Sequence, residues 1–413
     1  MSKPIFAISA PIDTYSGYGA RARDIVKSVV KTNKYKVVVL SQRWGNTRFG
    51  YLMDHNEKDL FDLIIPKLEG KPDYWMQITV PNEFQPVGKY NIGCTAGMET
   101  TLVDPKWIEG CNRMDLIITS SQHSKSTFLN SIYDLTDNRT GQKQKLKLDK
   151  PIEVVFEGLD TSKYFVSKSK FDLSMIPESF CFFNIGHWMQ GDIGQDRKNI
   201  GYLVKAFLET FKNVKNPPAL ILKASIVNSS ILDRDRLEKK LDSIYRTVKG
   251  KTPNVYIIHG EISDEEVNDL YNHPKVKAMV SFTKGEGFGR PLLEFSAVGK
   301  PIIVSGWSGH MDFLDRERSI LVGGELTNVH QSAAQKEMII KESKWFTPND
   351  AEVNKAFKTV FKQYKKWEVP AKKQKHKVTT DFTLEKMHEL VASILDKNLP
   401  EFAQQVELTL PKL

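Results

Sequence analysis

The sequence predicts an α/β protein with two Rossmann-like lobes, each built on a parallel β-sheet, that face each other across a cleft. Short runs of β-branched and aromatic residues alternate with helical stretches along the whole chain, which is typical of parallel sheets wound through βαβ units. The 413 residues are too many for one ordinary core and suit two. A polar stretch at residues 162–179 marks the predicted boundary between the lobes.

Six strands are predicted on each side of this boundary. Those of the first half are Ile5–Ser9, Tyr35–Leu40, Trp75–Val80, Tyr90–Cys94, Asp115–Thr119 and Ile152–Phe156. Those of the second half are Phe180–Ile185, Ala219–Lys223, Asn254–His259, Lys277–Ser281, Pro301–Val304 and Ser319–Val322. Helices are predicted over Ala20–Lys31, Ser124–Asn130, Ile200–Phe211, Asp233–Lys249, Asp264–Tyr271, Pro291–Val298 and Asn349–Lys366. Ligands of such sheets bind at the carboxyl ends of the strands, so the site is expected in the cleft.

The bulk composition excludes several classes of protein. With 40% apolar and 26% charged residues, the chain reads as soluble and globular. No apolar run approaches the roughly 18 residues of a membrane span, and the N-terminus reads as a first strand rather than a signal peptide. Three cysteines without C-x-x-C spacing favour a reducing cytoplasm over a disulfide framework or a zinc site.

Basic residues outnumber acidic ones by 59 to 50, and the pI is about 9.1. The excess is densest in two lysine-rich segments, residues 143–150 and 362–377. Such runs are usually solvated helix faces or loops. The alternative is contact with a polyanion, either nucleic acid or an anionic membrane surface.

The segment from Glu286 to Glu294 is the most informative part of the chain. Pro291 suits the first turn of a helix, where its missing N–H is not needed. Gly287 and Gly289 allow a tight turn and close approach of a ligand to the main chain. Free N–H groups at a helix start favour an anion such as phosphate. Carboxylates on both sides of a phosphate match a sugar nucleotide, in which a diphosphate joins a sugar to a ribose.

Together with residues 295–304, this segment resembles the E-x7-E signature of retaining GT-B glycosyltransferases of the family 4 type, the group that includes sucrose and sucrose-phosphate synthases. The resemblance implies a GT-B fold whose last helix, residues 381–397, crosses back to the first lobe. It implies an acceptor-side domain at residues 1–165, a nucleotide-sugar-binding domain at residues 166–378, and a C-terminal helical segment at residues 379–413.

The same resemblance implies roles for individual residues. Glu286 would bind hydroxyls of the donor sugar, and Glu294 would bind the ribose hydroxyls. The donor would also contact the loop and the first helical residue, at Gly287, Phe288, Gly289 and Arg290. The charge growing on the leaving diphosphate would be carried by the helix start at residues 289–291 and by three cations, Arg197, Lys198 and Lys223. Among these, Arg197 and Lys198 join Glu286 as the predicted catalytic residues. Gly17 and Gly19, after the first strand, resemble the glycine loop that closes on the donor.

Other positions carry weaker signals. Glu99, after the fourth strand, is a candidate contact to acceptor or sugar, with a structural role as the alternative. His187 stands where relatives carry an arginine, and His123 is expected to be a surface histidine at a helix start. Residues 307–309, Trp-Ser-Gly, are expected to support the Glu286 loop.

Residues 233–235 fit the D-x-D motif that binds a metal ion in another class of glycosyltransferases. They lie at a predicted helix entry, where aspartates cap free N–H groups. A structural role is therefore expected, with no obligatory metal or cofactor. The expected donor substrate is a nucleoside diphosphate sugar, with a UDP-sugar favoured.

The acceptor is the least determined feature. Residues 16–20, 41–47, 81–84 and 91–100 resemble first-lobe segments of glycosyltransferases from T4-like tailed phages. Some phage enzymes of this class glycosylate hydroxymethylated cytosine, so duplex DNA is the preferred acceptor, in a host cytoplasm. The alternatives are a polysaccharide, lipid or envelope glycan as acceptor, and a non-catalytic protein that only binds sugar nucleotides.

Overall fold

The framework of the molecule is a pair of six-stranded parallel sheets, one in each lobe, as the sequence predicts. The computed structural model describes residues 3–136, 141–227 and 229–402. In each sheet the central strands are almost entirely buried, because helices cover both faces of a parallel sheet.

The first lobe holds a sheet with the strand order β2-β1-β3-β4-β5-β8 and a separate antiparallel hairpin, β6-β7. Its strands are β1 (Ile5–Ala10), β2 (Lys36–Ser41), β3 (Tyr74–Ile78), β4 (Tyr90–Cys94), β5 (Leu116–Thr119), β6 (Tyr133–Thr136), β7 (Lys143–Leu146) and β8 (Ile152–Val154). Its helices are α1 (Gly17–Lys31), α2 (Tyr51–Asp54), α3 (Lys58–Phe61), α4 (Pro105–Asn112) and α5 (Gln122–Asn130). The hairpin and α4 were not predicted.

The second lobe holds a sheet with the order β11-β10-β9-β12-β13-β14 and a second hairpin, β15-β16. Its strands are β9 (Cys181–His187), β10 (Ala219–Ser225), β11 (Val255–Ile258), β12 (Val276–Ser281), β13 (Ile302–Ser305), β14 (Ile320–Val322), β15 (Gly324–Asn328) and β16 (Lys344–Pro348). Its helices are α6 (Ile200–Phe211), α7 (Ile231–Tyr245), α8 (Asp264–Asn272), α9 (Arg290–Ser296) and α10 (Asp350–Lys362). The sheet reverses its winding direction between β9 and β12, which is where open α/β sheets bind ligands.

Two further helices end the described chain, α11 (Tyr364–Asp381) and α12 (Leu384–Asn398). α11 packs against α9 in the second lobe, and α12 packs against α1 in the first. Met387, Val391 and Leu395 of α12 are buried in the first-lobe core. The predicted return of the last helix to the first lobe is therefore confirmed. None of the helices in the described ranges is long and apolar enough to cross a bilayer.

Candidate active site

The loop from Ser281 to Gly289 joins β12 to α9 at the point where the second sheet reverses its winding direction. A cavity of about 30 Å³ lies there, lined by residues that include Asn184, Lys198, Ser281, Glu286 and Gly289. Ligand pockets have volumes of about 300–1,000 Å³. The cavity is therefore much smaller than a typical ligand pocket.

Helix α9 begins at Arg290 and is preceded by the N-cap residue Gly289, whose φ of 97° lies in the left-handed region that glycine adopts most readily. The backbone of Glu286 is fixed by residues 308 and 309. Its N–H donates to the Ser308 hydroxyl at 2.9 Å, and its carbonyl oxygen accepts from the Gly309 N–H at 2.9 Å. The predicted support of this loop by the Trp-Ser-Gly segment is thus confirmed. Ser308 has φ 85° and ψ −162°, a conformation that non-glycine residues rarely adopt.

The Glu286 carboxylate lies beside two cations and a second carboxylate, a group of four residues that we call the Glu286 cluster. Lys198 Nζ donates to both Glu286 oxygens at 2.7 and 2.9 Å. Arg197 Nη1 lies 3.4 Å from Glu286 Oε2, while its Nη2 lies 3.3 Å from Glu99 Oε1. The structure therefore joins three residues of the second lobe, predicted as catalytic, with Glu99 of the first lobe, predicted as an acceptor or sugar contact.

The electrostatics of this cluster favour an ionised Glu286. Burial alone would raise the pKa of its carboxyl, but Lys198 and Arg197 outweigh burial and lower that pKa to about 2. The pKa of Arg197 is raised despite burial, because Glu99 and Glu286 flank it. The cluster is thus an array of permanent charges that can orient hydroxyls or an anion entering the cleft.

Glu294, on α9, lies in a different environment. Arg290 Nε donates to Glu294 Oε1 at 3.3 Å, and Arg290 Nη1 donates to Asp24 Oδ2 of α1 at 2.8 Å. Arg290 therefore links the two lobes. Burial and the nearby carboxylate of Asp264 together raise the pKa of Glu294 to about 8, against the opposing effect of Arg290. The Arg290 side chain, predicted to contact the donor diphosphate, is engaged here by two carboxylates.

Two basic residues at strand ends lie close to the cluster. Lys223, two residues before the end of β10, donates from Nζ to the Gly260 carbonyl at 2.6 Å, and burial lowers the pKa of this amine. His187 ends β9 with Nδ1 3.1 Å from the Ser225 hydroxyl. Burial lowers the pKa of His187, and the charges of Lys198 and Lys223 add to that effect. His187 thus lies within electrostatic reach of Lys198 and Arg197 of the cluster.

The glycines of the loop allow the lobes to approach each other. A Cβ atom on Gly287 would lie 2.4 Å from the Ala96 carbonyl oxygen, and one on Gly285 would lie 1.8 Å from that of Glu99. The Phe288 side chain is buried in the core against Phe313, so only its backbone can face a ligand. In the first lobe, Gly19 fits closely against Thr14.

Gly17, in contrast, has open space where a side chain would extend, so this position of the first-lobe loop leaves room for a ligand. The Ser16 hydroxyl caps α1 by accepting from the Gly19 N–H at 2.9 Å. The two glycines predicted to lie next to the donor therefore differ. Gly19 has no room for a side chain because Thr14 packs against it, whereas Gly17 borders free space.

Two histidines near the cluster were missed. His123 was predicted to be a surface residue, and this is wrong. Its ring packs edge-on against Trp307 at 4.6 Å between ring centroids, and its Nε2 is buried without a hydrogen-bond partner in the described part of the chain. Burial and the neighbouring His310 lower the pKa of His123 to about 4. His310 is fully buried, with Nε2 2.7 Å from the Ser305 carbonyl oxygen. Only the contact between the lobes brings these rings together, and no local pattern encodes it.

The D-x-D segment lies in α7 and acts within its own lobe. Asp233 accepts hydrogen bonds from the N–H groups of Ile226 and Val227 at 2.8 and 3.0 Å, and its Oδ2 lies 3.2 Å from His259 Nε2. The described ranges contain no group of three or more His, Cys, Asp or Glu side chains arranged to hold a metal ion.

Comparisons with known proteins agree with this geometry. Residues 195–344 match the family described as Glycosyl transferases group 1, a range that contains every candidate residue of the second lobe. No curated protein matches the chain significantly.

Similar solved structures cover nearly the whole chain. HepE from Anabaena in complex with UDP-glucose has a TM-score of 0.60 at 12% identity, over 95% of this chain and 100% of that chain. Sucrose-phosphate synthase from Thermosynechococcus elongatus has a TM-score of 0.62 at 12% identity, over 96% and 98%. A glycosyltransferase from Rickettsia africae has a TM-score of 0.60 at 13% identity, over 97% and 99%. The chain thus has the GT-B fold, and residues 195–344 of its second lobe are similar to the group 1 glycosyl transferases.

Proposed function

We propose that this protein is a retaining glycosyltransferase that moves a hexosyl or pentosyl group from a nucleoside diphosphate sugar to an acceptor hydroxyl. The observation that carries the proposal is the Glu286 cluster at the β9–β12 reversal point. It pairs a carboxylate that can orient sugar hydroxyls with two cations that can hold a diphosphate. In this proposal residues 166–378 bind the donor, and residues 1–165 face the acceptor.

The proposed reaction uses each group in a defined role. The acceptor hydroxyl attacks the anomeric carbon on the face from which the diphosphate leaves. The carbon–oxygen bond to phosphate breaks, and the hydroxyl proton passes to the leaving phosphate oxygen. Lys198 and Arg197 carry the charge that grows on the diphosphate, which is where preorganised cations contribute most. Lys223 can add to this field, and Glu294 binds the ribose hydroxyls.

Glu286 is assigned to binding the donor sugar rather than to covalent attack. A carboxylate with a pKa of about 2, in contact with a lysine and an arginine, is a weak nucleophile. This supports attack on the front face, assisted by the leaving phosphate. Closure of the lobes around the donor excludes water and limits hydrolysis.

A UDP-sugar is the donor that we propose to test first, because HepE, a structural neighbour, is bound to UDP-glucose. As acceptor we propose 5-hydroxymethylated cytosine in duplex DNA, on the resemblance of the first lobe to phage enzymes and on the net charge of +9. Such a base would have to leave the stack or be reached through the major groove. A glycan or lipid acceptor is the alternative outcome of the same experiment.

The test is mass spectrometry of nucleosides from hydroxymethylcytosine-containing DNA after incubation with the protein and UDP-, GDP- or ADP-sugars. Free nucleoside diphosphate is measured in parallel, and Glu286→Gln is the control. A sugar-mass adduct with the wild type but not with the variant is the expected result. Release of nucleoside diphosphate without an adduct would retain the transferase and reject DNA as acceptor. If folded protein gives neither an adduct nor free nucleoside diphosphate, the remaining interpretation is a protein that binds sugar nucleotides without catalysis.

A further inference from the structure

Helix α11 carries a continuous basic surface that the proposed reaction does not use. Lysine, valine and histidine side chains at helical spacing are exposed along one face, which we call the α11 lysine face: Lys365, Lys366, Val369, Lys372, Lys373 and His376. The opposite face of the helix is buried, with Ala371, Gln374 and Val378 in the protein interior. The lysines therefore point away from the body of the protein.

One exposed acidic residue, Glu368, lies on the same helix, three residues after Lys365 and four before Lys372, so the face keeps a net positive charge. Within the described ranges, none of its four lysines forms an ion pair. At one end of the face, Lys372, Lys373 and His376 line an open groove of about 500 Å³. Arg318 and Lys377 add two cations to this groove, and both contact Asp315. Since Asp381 is the one acidic residue among those that line the groove, its lining holds more positive than negative charge.

The length of the face indicates an extended anion. From residue 365 to residue 376 the helix rises about 16 Å, since each residue adds about 1.5 Å. That distance is close to five steps along one nucleic-acid strand at about 3.4 Å each. A compact phosphate ligand would occupy the groove alone and leave Lys365 and Lys366 without a role.

The side chains of the face favour duplex nucleic acid over two other ligands, a membrane surface and a single strand. An interfacial membrane helix inserts large apolar side chains beside its lysines, whereas the α11 lysine face exposes only Val369, and its apolar side is buried. Single strands bind through stacking on aromatic rings, and no aromatic residue belongs to this face. A face whose charged side chains are mainly lysines suits contacts to phosphates, which hold a duplex in place without reading its sequence.

We propose that the α11 lysine face binds the phosphate backbone of duplex DNA. The choice of DNA rests on the acceptor proposed above, and the surface would hold the duplex while the cleft acts on a base. Binding would be independent of sequence and would weaken steeply with salt, because each phosphate contact releases a condensed counterion.

The experiment compares two variants that remove the same charge from the two lysine-rich segments. One replaces Lys365, Lys366, Lys372 and Lys373 by glutamine. The matched control replaces Lys143, Lys145, Lys147 and Lys150 by glutamine. Binding to a fluorescent duplex of about 24 base pairs is followed by anisotropy between about 50 and 300 mM NaCl. Thermal unfolding of both variants checks the fold, and release of nucleoside diphosphate from UDP-glucose reports the donor site.

The expected result is tenfold to 100-fold weaker duplex binding at about 100 mM salt for the α11 variant. Its salt dependence should lose about three to four units of slope, roughly 0.9 for each phosphate contact. The control should stay within about threefold of the wild type. Equal losses in both variants, no duplex binding by the wild type, or stronger binding to anionic vesicles of phosphatidylserine would each overturn the proposal. Nucleoside diphosphate release without duplex binding would reject DNA binding by this surface and retain the proposed transferase activity. Duplex binding without nucleoside diphosphate release would reject the transferase activity and retain the DNA-binding surface.

Discussion

Glu286 and Glu294 stand at the two ends of one loop-and-helix segment and are almost equally buried, yet their electrostatic states are opposite. Their side chains are 14% and 13% exposed. The pKa of Glu286 is lowered to about 2, and that of Glu294 is raised to about 8. Burial acts in the same direction on both carboxyls, so neighbouring charges must account for the difference.

The difference lies in how the neighbouring cations are shared. Glu286 has Lys198 at 2.7 Å, and Arg197 adds a second positive charge. Among the described residues, Glu294 forms an ion pair with Arg290 alone, at 3.3 Å, and that guanidinium lies closer to Asp24, at 2.8 Å. Asp264 adds a repelling negative charge. The first glutamate is therefore suited to hold a permanent charge, while the second can change protonation near neutral pH when a ligand enters.

Replacement of Lys198 by methionine is expected to have the largest effect, because it removes the nearest cation from Glu286 and from the proposed diphosphate site. We expect kcat for donor turnover to fall about 100- to 1,000-fold, the range for loss of one preorganised electrostatic group. Initial rates of nucleoside diphosphate release measure this effect.

Lys212→Met is the matched control, since Lys212 also pairs with a glutamate, Glu209, but lies at the end of α6. The control should retain the wild-type rate. An unchanged kcat in Lys198→Met with only a raised KM would show that Lys198 stabilises the bound donor and not the transition state.

Glu294→Gln tests the other end of the comparison through the pH dependence of stability. The folded protein keeps a proton on Glu294 up to about pH 8, whereas the unfolded chain loses it near the ordinary value of 4.5. The wild type therefore loses stability as pH rises from about 4.5 to 8, and the variant does not. We expect the variant to melt several degrees above the wild type at pH 9 and close to it at pH 5. At pH 9, where Glu294 of the wild type is ionised, the donor KM of the variant should be about tenfold higher, since a hydrogen bond from ribose to a charged group is lost.

Glu286→Gln should change the pH dependence of stability in the opposite direction. Because the pKa of Glu286 is depressed, its charge stabilises the fold above about pH 4.5, and this contribution disappears as pH falls toward 2. The Glu286 variant should therefore be less stable than the wild type at neutral pH. Parallel melting curves for the two glutamine variants would contradict the assignment of opposite charge states.

Much of this architecture could be predicted from the sequence, because its signals are local. All twelve strands of the two sheets were predicted, since each is a short apolar run in an alternating pattern. The two hairpins were missed because their strands are short and partly polar, as in Lys143–Leu146. α11 was missed as a separate helix, since Pro370 and its lysines do not show a regular apolar face.

The site residues likewise fall into those that local sequence signals predicted and those that they did not. Glu286, Arg197 and Lys198 were predicted as one group, because a motif and the ends of neighbouring strands identify them. The role of Asp24 was not predicted, and neither was the packing of the half-buried His123 against Trp307. Both depend on contacts between the lobes, and Asp24 and Arg290 are 266 residues apart in the sequence. Such contacts follow from how two finished lobes meet, and no periodicity within either lobe encodes them.

Asp24→Asn should have the smallest effect and would test directly whether sharing of Arg290 explains the comparison. Without the Asp24 carboxylate, the guanidinium is left to Glu294, so the pKa of Glu294 should fall below 8 and its environment should approach that of Glu286. We expect the stability loss between pH 4.5 and 8 to end roughly one pH unit earlier, with donor KM changed no more than about threefold. Asp54→Asn is the control, because Asp54 pairs with Arg48, another first-lobe residue that reaches across to the second lobe. An unaltered pH profile in Asp24→Asn would mean that burial and Asp264 alone hold the proton on Glu294, and that Arg290 serves only to join the lobes.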